Sequence, residues 1–169
     1  TGCSGFLGKV WLASLLLEVP QVEQLIVLLR PGRKGARRRF EDLIASCPSF
    51  APLHDRFGDQ LSQVIDEKIL IVGGDLSLPL LGLDAELLKR LAGIDLVVNL
   101  AGHTDLEPDL RDALATNVDG ALHALDVARQ TGAKLLHVST AYVAGARGGV
   151  VPEEIAANTA PSEEAFDAA

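Results

Sequence analysis

Four short apolar runs recur along the chain without the alternation of a half-exposed strand: "QLIVLL" at 24–29, "KILIVGGD" at 68–75, "IDLVVNLAG" at 94–102 and "AKLLHVST" at 133–140. Such runs predict strands covered on both faces. Between them the apolar spacing changes to three and four. Residues 5–18 predict a helix with apolar side chains on most sides, stopped by Pro20, and 83–91 predict another. The longest helical pattern runs from Pro108 to Gln130, with Leu110, Leu114, Val118, Ala121, Leu125 and Ala128 on one stripe and Gly132 just past its end. Strand and helix in alternation predict an α/β fold built on a doubly wound parallel sheet.

Two stretches depart from that alternation. Residues 37–67 carry two helical patterns divided by Pro48 and Pro52, longer than an ordinary crossover, and predict a helical insertion. The tail beyond Arg147 is acidic and without Lys or Arg. The expected organisation is therefore one domain over 1–145 and a poorly packed segment over 146–169.

Composition narrows the function classes. The net charge of −8 argues against nucleic acid as the main partner. Yet "RPGRKGARRR" (30–39) holds six of the fifteen basic residues and no acid, which suits a local anion site. Cys3 and Cys47 have neither paired spacing nor a metal-ligand pattern, so free thiols in a reducing, cytoplasmic compartment are expected and no metal. No apolar run reaches the ~18 residues of a membrane span.

The candidate chemistry begins at Thr1. In "TGCSGFLGKV", Gly2, Gly5 and Gly8 open the first helix, and the next strand ends near Leu29. This is the spacing of a Rossmann-like dinucleotide site: a tight turn, a close backbone approach to a pyrophosphate, and close helix–strand packing. The turn, with Phe6 and Leu7, places helix N-terminal amides near the phosphates. A carboxylate at the end of the second strand would select NAD, whereas this chain has Arg30, with Arg33 and Lys34 following; guanidinium groups there favour the 2′-phosphate of NADPH. Asp75 and Leu76 after one strand suit the adenine, and Ala101 and Gly102 after the next let a cofactor lie close. The alternative readings are Asp75 as a turn cap and Ala101–Gly102 as loop punctuation.

"TGCSGFLGKV", "GDLSLPLLGL", "NLAGHTDLEPDLRDALATNVDGA" and "LLHVSTAYVAG" together resemble, in order and spacing, the fatty acyl-CoA reductases and thioester reductase domains of the extended short-chain dehydrogenases. The resemblance runs from Thr1 to about Gly145. It implies hydride transfer from NADPH to a fatty acyl-CoA or acyl-carrier thioester, giving an aldehyde or, after a second reduction, an alcohol. It further implies that Thr140, with Ser139 beside it, holds the carbonyl oxygen and that Asn117 organises the site. No Lys follows Tyr142, so the family's Tyr-x-x-x-Lys pair is expected past Ala169 and a first strand before Thr1; a chain truncated at both ends would be inactive alone. Asn99 stands where the family often has His, and Leu106 replaces a usual aromatic. Two other readings stay open: a non-catalytic NADPH-binding module, and a dehydrogenase of nucleotide sugars. Oligomeric state is not readable, and the four histidines show no catalytic spacing.

Overall fold

Each predicted strand forms, at the apolar centre of its run. The computed structural model describes residues 1–144 and 149–153, so the expected boundary at 145 and most of the 146–169 tail lie outside the described residues. Contacts divide the chain into Thr1–Val138 and a smaller unit from Ser139 onward. The first unit contains α1 (Phe6–Glu18), β1 (Leu25–Leu29), α2 (Gly35–Ser46), α3 (Ala51–Phe57), α4 (Leu61–Lys68), β2 (Ile69–Gly73), α5 (Ala85–Arg90), β3 (Leu96–Asn99), α6 (Leu110–Leu114), α7 (Gly120–Thr131) and β4 (Lys134–His137).

Pairing is parallel throughout. Leu25 faces Ile69 and Leu29 faces Gly73 in one pair; Leu96 faces Lys134 and Asn99 faces His137 in the other. Parallel strands joined through helices make this a Rossmann-like α/β fold. Instead of one sheet, the described strands form two pairs, β1–β2 and β3–β4. Between them lies an apolar cleft of about 800 Å³, lined by Trp11, Leu12, Val27, Val72, Val97 and Val127. At its edge the Thr1 amino group donates to the Val98 carbonyl (2.6 Å), and the Leu100 N–H donates to the Thr1 carbonyl (3.4 Å).

The insertion is part of the core. Phe40 of α2, Phe50 in the turn between α2 and α3, and Leu53 of α3 are all fully buried and pack with Leu12 of α1 and Val27 of β1. A second cluster joins Val72, Leu81, Leu91, Val97, Ala124 and Val127. Burying aromatic and branched side chains contributes about 1.5–3 kcal/mol each, enough to fix the insertion on the α1 side.

Two expectations about burial are corrected. The strands are not all covered on both faces: α7 packs against β3 and β4, but Leu96 and Leu136 remain 43 % exposed. The predicted stripe along 108–130 also fails to form one buried face, since Leu110 is 70 % and Val118 49 % exposed. Its cause is a π-helical turn over Ala115–Asp119 between α6 and α7. One residue more than an α turn shifts the phase, so of the predicted stripe α7 buries only Ala128, together with Gly120, Ala124, Val127 and Thr131. Asp109 caps α6 by accepting from the Arg111 and Asp112 N–H groups, and Gly132, at φ +77°, ends α7.

Truncating Leu53 to Ala should lower stability by about 2–5 kcal/mol in urea unfolding. A loss under about 1 kcal/mol would mean the insertion does not share the core.

Candidate functional site

The glycine turn is built by close backbone contacts. Gly2, at φ +79°, has a conformation that L side chains rarely adopt, and a Cβ there would stand 2.5 Å from the Ala101 nitrogen. A Cβ on Gly8 would stand 2.2 Å from the Gly2 carbonyl oxygen. The Gly5 N–H donates to that same carbonyl (3.0 Å), closing the turn that leads into α1. The first-turn amides of α1 have no carbonyl within the helix to bond, and that turn carries no acidic side chain. This is a local preference for an anion.

Above the turn lies a pocket of about 560 Å³. Gly2, Gly5, Arg30, Asp75, Leu76, Ala101 and Gly102 line it together, bringing most of the predicted cofactor residues to one place. Phe6 and Leu7 are 80 % and 49 % exposed at the start of α1, outside the lining, and Gly8 packs beneath the turn. Arg33 is exposed in the loop after β1, also outside it. Sequence reasoning missed Arg39, which lines the pocket beside Arg30 and donates from Nη1 to the Arg30 carbonyl (2.9 Å). The signal was present in the basic run, but only the helical phase of α2 shows which of its arginines turns back.

Asparagines shape the far side. Asn117, in the π-helical turn, accepts from the His103 N–H through Oδ1 (2.7 Å) and donates to the His103 carbonyl through Nδ2 (3.0 Å), fixing the loop after β3 from both sides. Buried Asn99 accepts from the Ala101 N–H (3.2 Å) and the Thr1 hydroxyl, and donates to His137 Nδ1 (3.1 Å). These bonds hold the two small residues at the pocket floor. Among the described residues His103 Nδ1, beside the pocket, is buried without a partner. That orphan and the glycine cradle fit a polar, anionic ligand. Ser139 and Thr140 begin the second unit and are exposed. No group of three or more His, Cys, Asp or Glu among the described residues could hold a metal, and no described helix is long and apolar enough to cross a membrane.

Electrostatics follow the packing. Burial pushes the Cys3 thiol up, against the smaller pull of the amino terminus and Arg39. The Cys47 thiol is drawn down by hydrogen bonds from the Ser49 backbone and hydroxyl, with Lys9 adding to them. For Asp75, burial raises the pKa, but bonds from the Ser77 N–H (3.0 Å) and hydroxyl (2.8 Å), with the Arg30 charge, outweigh it and leave the carboxyl below its usual value. A depressed folded-state pKa contributes stability that is present above the unfolded pKa near ~4 and lost as pH falls through the folded value. Asp75→Asn should therefore flatten the acid side of the stability–pH curve; an unchanged acid limb would contradict the assignment. A thiol reagent at pH 8 should modify Cys47 before Cys3, and the reverse order would contradict the burial of Cys3.

Comparison with known proteins places this geometry in a family. An NAD-binding family model described as "Male sterility protein" matches residues 1–168. Fatty acyl-CoA reductase 1 of Arabidopsis thaliana is 37 % identical over 160 residues, covering 91 % of this chain and 33 % of that protein. The alcohol-forming fatty acyl-CoA reductase of Simmondsia chinensis is 32 % identical, with 91 % and 32 % covered. The reductase domain of a non-ribosomal peptide synthetase from Mycobacterium tuberculosis superposes with a TM-score of 0.66 at 31 % identity, over 86 % of this chain and 33 % of that one. The chain thus spans about a third of the length of the relatives it matches. With its glycine cradle and parallel strand pairs, the chain belongs to the NAD-binding family described as male sterility protein.

Proposed function

We propose that this chain forms the NADPH-binding part of a reductase of fatty acyl thioesters. The carrying observation is one pocket that joins the glycine turn leading into α1 to Arg30, just after β1, and Arg39 of α2. The turn and helix amides would hold the pyrophosphate, and the two guanidinium groups the 2′-phosphate. Arg39 arrives pre-oriented by its bond to the Arg30 carbonyl, which lowers the entropy lost on binding. Asp75, Leu76, Ala101 and Gly102 would accommodate the adenosine half. Arg33, in the adjoining exposed loop, adds positive charge to the same end.

When bound, NADPH supplies the hydride. The thioester class is supported by the fatty acyl-CoA reductases among the relatives and by the reductase domains among the solved structures. In this reading Thr140, assisted by Ser139, donates a hydrogen bond to the carbonyl oxygen where negative charge develops. Asn117 acts through the backbone it fixes, keeping the 101–103 loop in place for the cofactor. Two free thiols, Cys3 and Cys47, suit work in the cytoplasm.

Titration of the chain with nucleotides tests the binding half. NADPH should bind more tightly than NADH, and Arg30→Ala or Arg39→Ala should each weaken NADPH by about tenfold or more while changing NADH little. Equal affinity for the two nucleotides would overturn the cofactor assignment. For the chemistry, long-chain acyl-CoA should drive NADPH oxidation by the protein that carries these residues, and a nucleotide sugar should not. The opposite preference would overturn the substrate class.

A further inference from the structure

Residues 75–83 follow β2 and contain a costly backbone. Leu80 (φ 51°), Leu81 (φ 62°) and Gly82 (φ 69°) are consecutive left-handed residues, a conformation that leucine rarely adopts. Such strain persists only where the surroundings over-determine it. Part of the restraint lies within the loop: the Asp75 N–H donates to the Leu81 carbonyl (2.9 Å), the Leu81 N–H to Leu78 (2.9 Å) and the Leu83 N–H to Leu80 (3.1 Å). A Cβ on Gly74 would stand 2.6 Å from the Leu81 oxygen, so the loop folds tightly back on its own stem.

The rest comes from α7. A Cβ on Gly120 would stand 2.6 Å from Leu76 Cγ, so helix backbone and Leu76 side chain meet directly. One turn on, His123 Nδ1 lies 3.0 Å from the Leu76 carbonyl. A carbonyl only accepts, so the ring carries its hydrogen on Nδ1 and donates it. The pocket wall formed by Asp75, Leu76 and Ser77 is thereby tied to a core helix at one named bond. Asp75 Oδ1 is already engaged by the Ser77 N–H and hydroxyl, which fixes the carboxylate plane and leaves Oδ2 to meet a ligand donor.

We propose that His123 is a positioning residue for adenine recognition: by donating to the Leu76 carbonyl it holds the strained 75–83 loop so that Asp75 meets the exocyclic amine of the base. The proposal rests on the assignment of this pocket to NADPH. It explains why a histidine with no catalytic neighbour sits on the side of α7 that faces the loop. It also makes Asp75 a reader of base identity, since a carboxylate accepts from the 6-amino group of adenine and repels the 6-oxygen of hypoxanthine.

The test compares NADP with its deamino analogue, which carries hypoxanthine in place of adenine, by calorimetric titration of the 169-residue chain. The native protein should favour NADP by about tenfold, the scale of one charge-assisted hydrogen bond. His123→Leu should bring that ratio close to one, and His123→Asn, whose amide can donate from the place of Nδ1, should restore it. Arg39→Ala should weaken both nucleotides and leave the ratio unchanged. Loss of affinity by equal factors for both nucleotides in His123→Leu, with the native ratio kept, would overturn the positioning role. Native binding of both without preference would overturn the reading of Asp75. Failure of the native chain to bind either would instead overturn the assignment of the pocket.

Discussion

Three backbones meet at Gly2 with no room for a side chain. A Cβ there would overlap Leu100 and Ala101 at the end of β3, and one on Gly8 would overlap the Gly2 carbonyl beneath. This close approach sets α1, the glycine turn and the loop after β3 in one arrangement, and the pocket is its upper surface. The amides at the start of α1 can face an anion only because the turn below has no bulk. Glycine here acts as a dimension of the site.

Around that centre the chain divides its labour by element. The end of β1 and the first half of α2 bring positive charge, the loop after β2 brings a fixed carboxylate, and the loop after β3 brings small residues held by Asn99 and Asn117. Each group is held by something behind it. The Arg39 guanidinium rests on the Arg30 carbonyl, Asp75 on Ser77, and the His103 backbone on Asn117. Sites whose supports are fixed before binding lose less entropy on binding. The insertion contributes at one remove: Phe40, on the α2 turn that carries Arg39, is buried with Phe50 and Leu53, which sets the phase of that helix.

Much of this was legible in the residues because it is written in local rules. Glycine spacing gave the turn, unbroken apolar runs gave the strands, and Gly132 past the long pattern marked where α7 ends. What was not legible depends on geometry between distant segments. Arg39 is one of three adjacent arginines, and only the folded helix distinguishes it. The π-helical turn at 115–119 inserts a phase shift that a constant spacing cannot express, so Leu110, Leu114 and Val118 read as a buried stripe and are exposed. The bond from His123 to Leu76 spans 47 positions and has no motif. Asp75 carried two meanings, and the fold joins them: its bonds to Ser77 cap the turn, and the same residue lines the pocket.

Amide chemical shifts recorded during NADPH titration of the isotopically labelled chain address the central claim most directly. A dinucleotide cradled as described should move the amides of residues 2–8 and of the 75–77 and 101–103 loops, together with the Arg39 side-chain signals, and leave the apolar cleft lined by Trp11 and Val97 unchanged. Shifts confined to that cleft, or a turn at Gly2 and Gly5 that does not respond at saturation, would contradict the account.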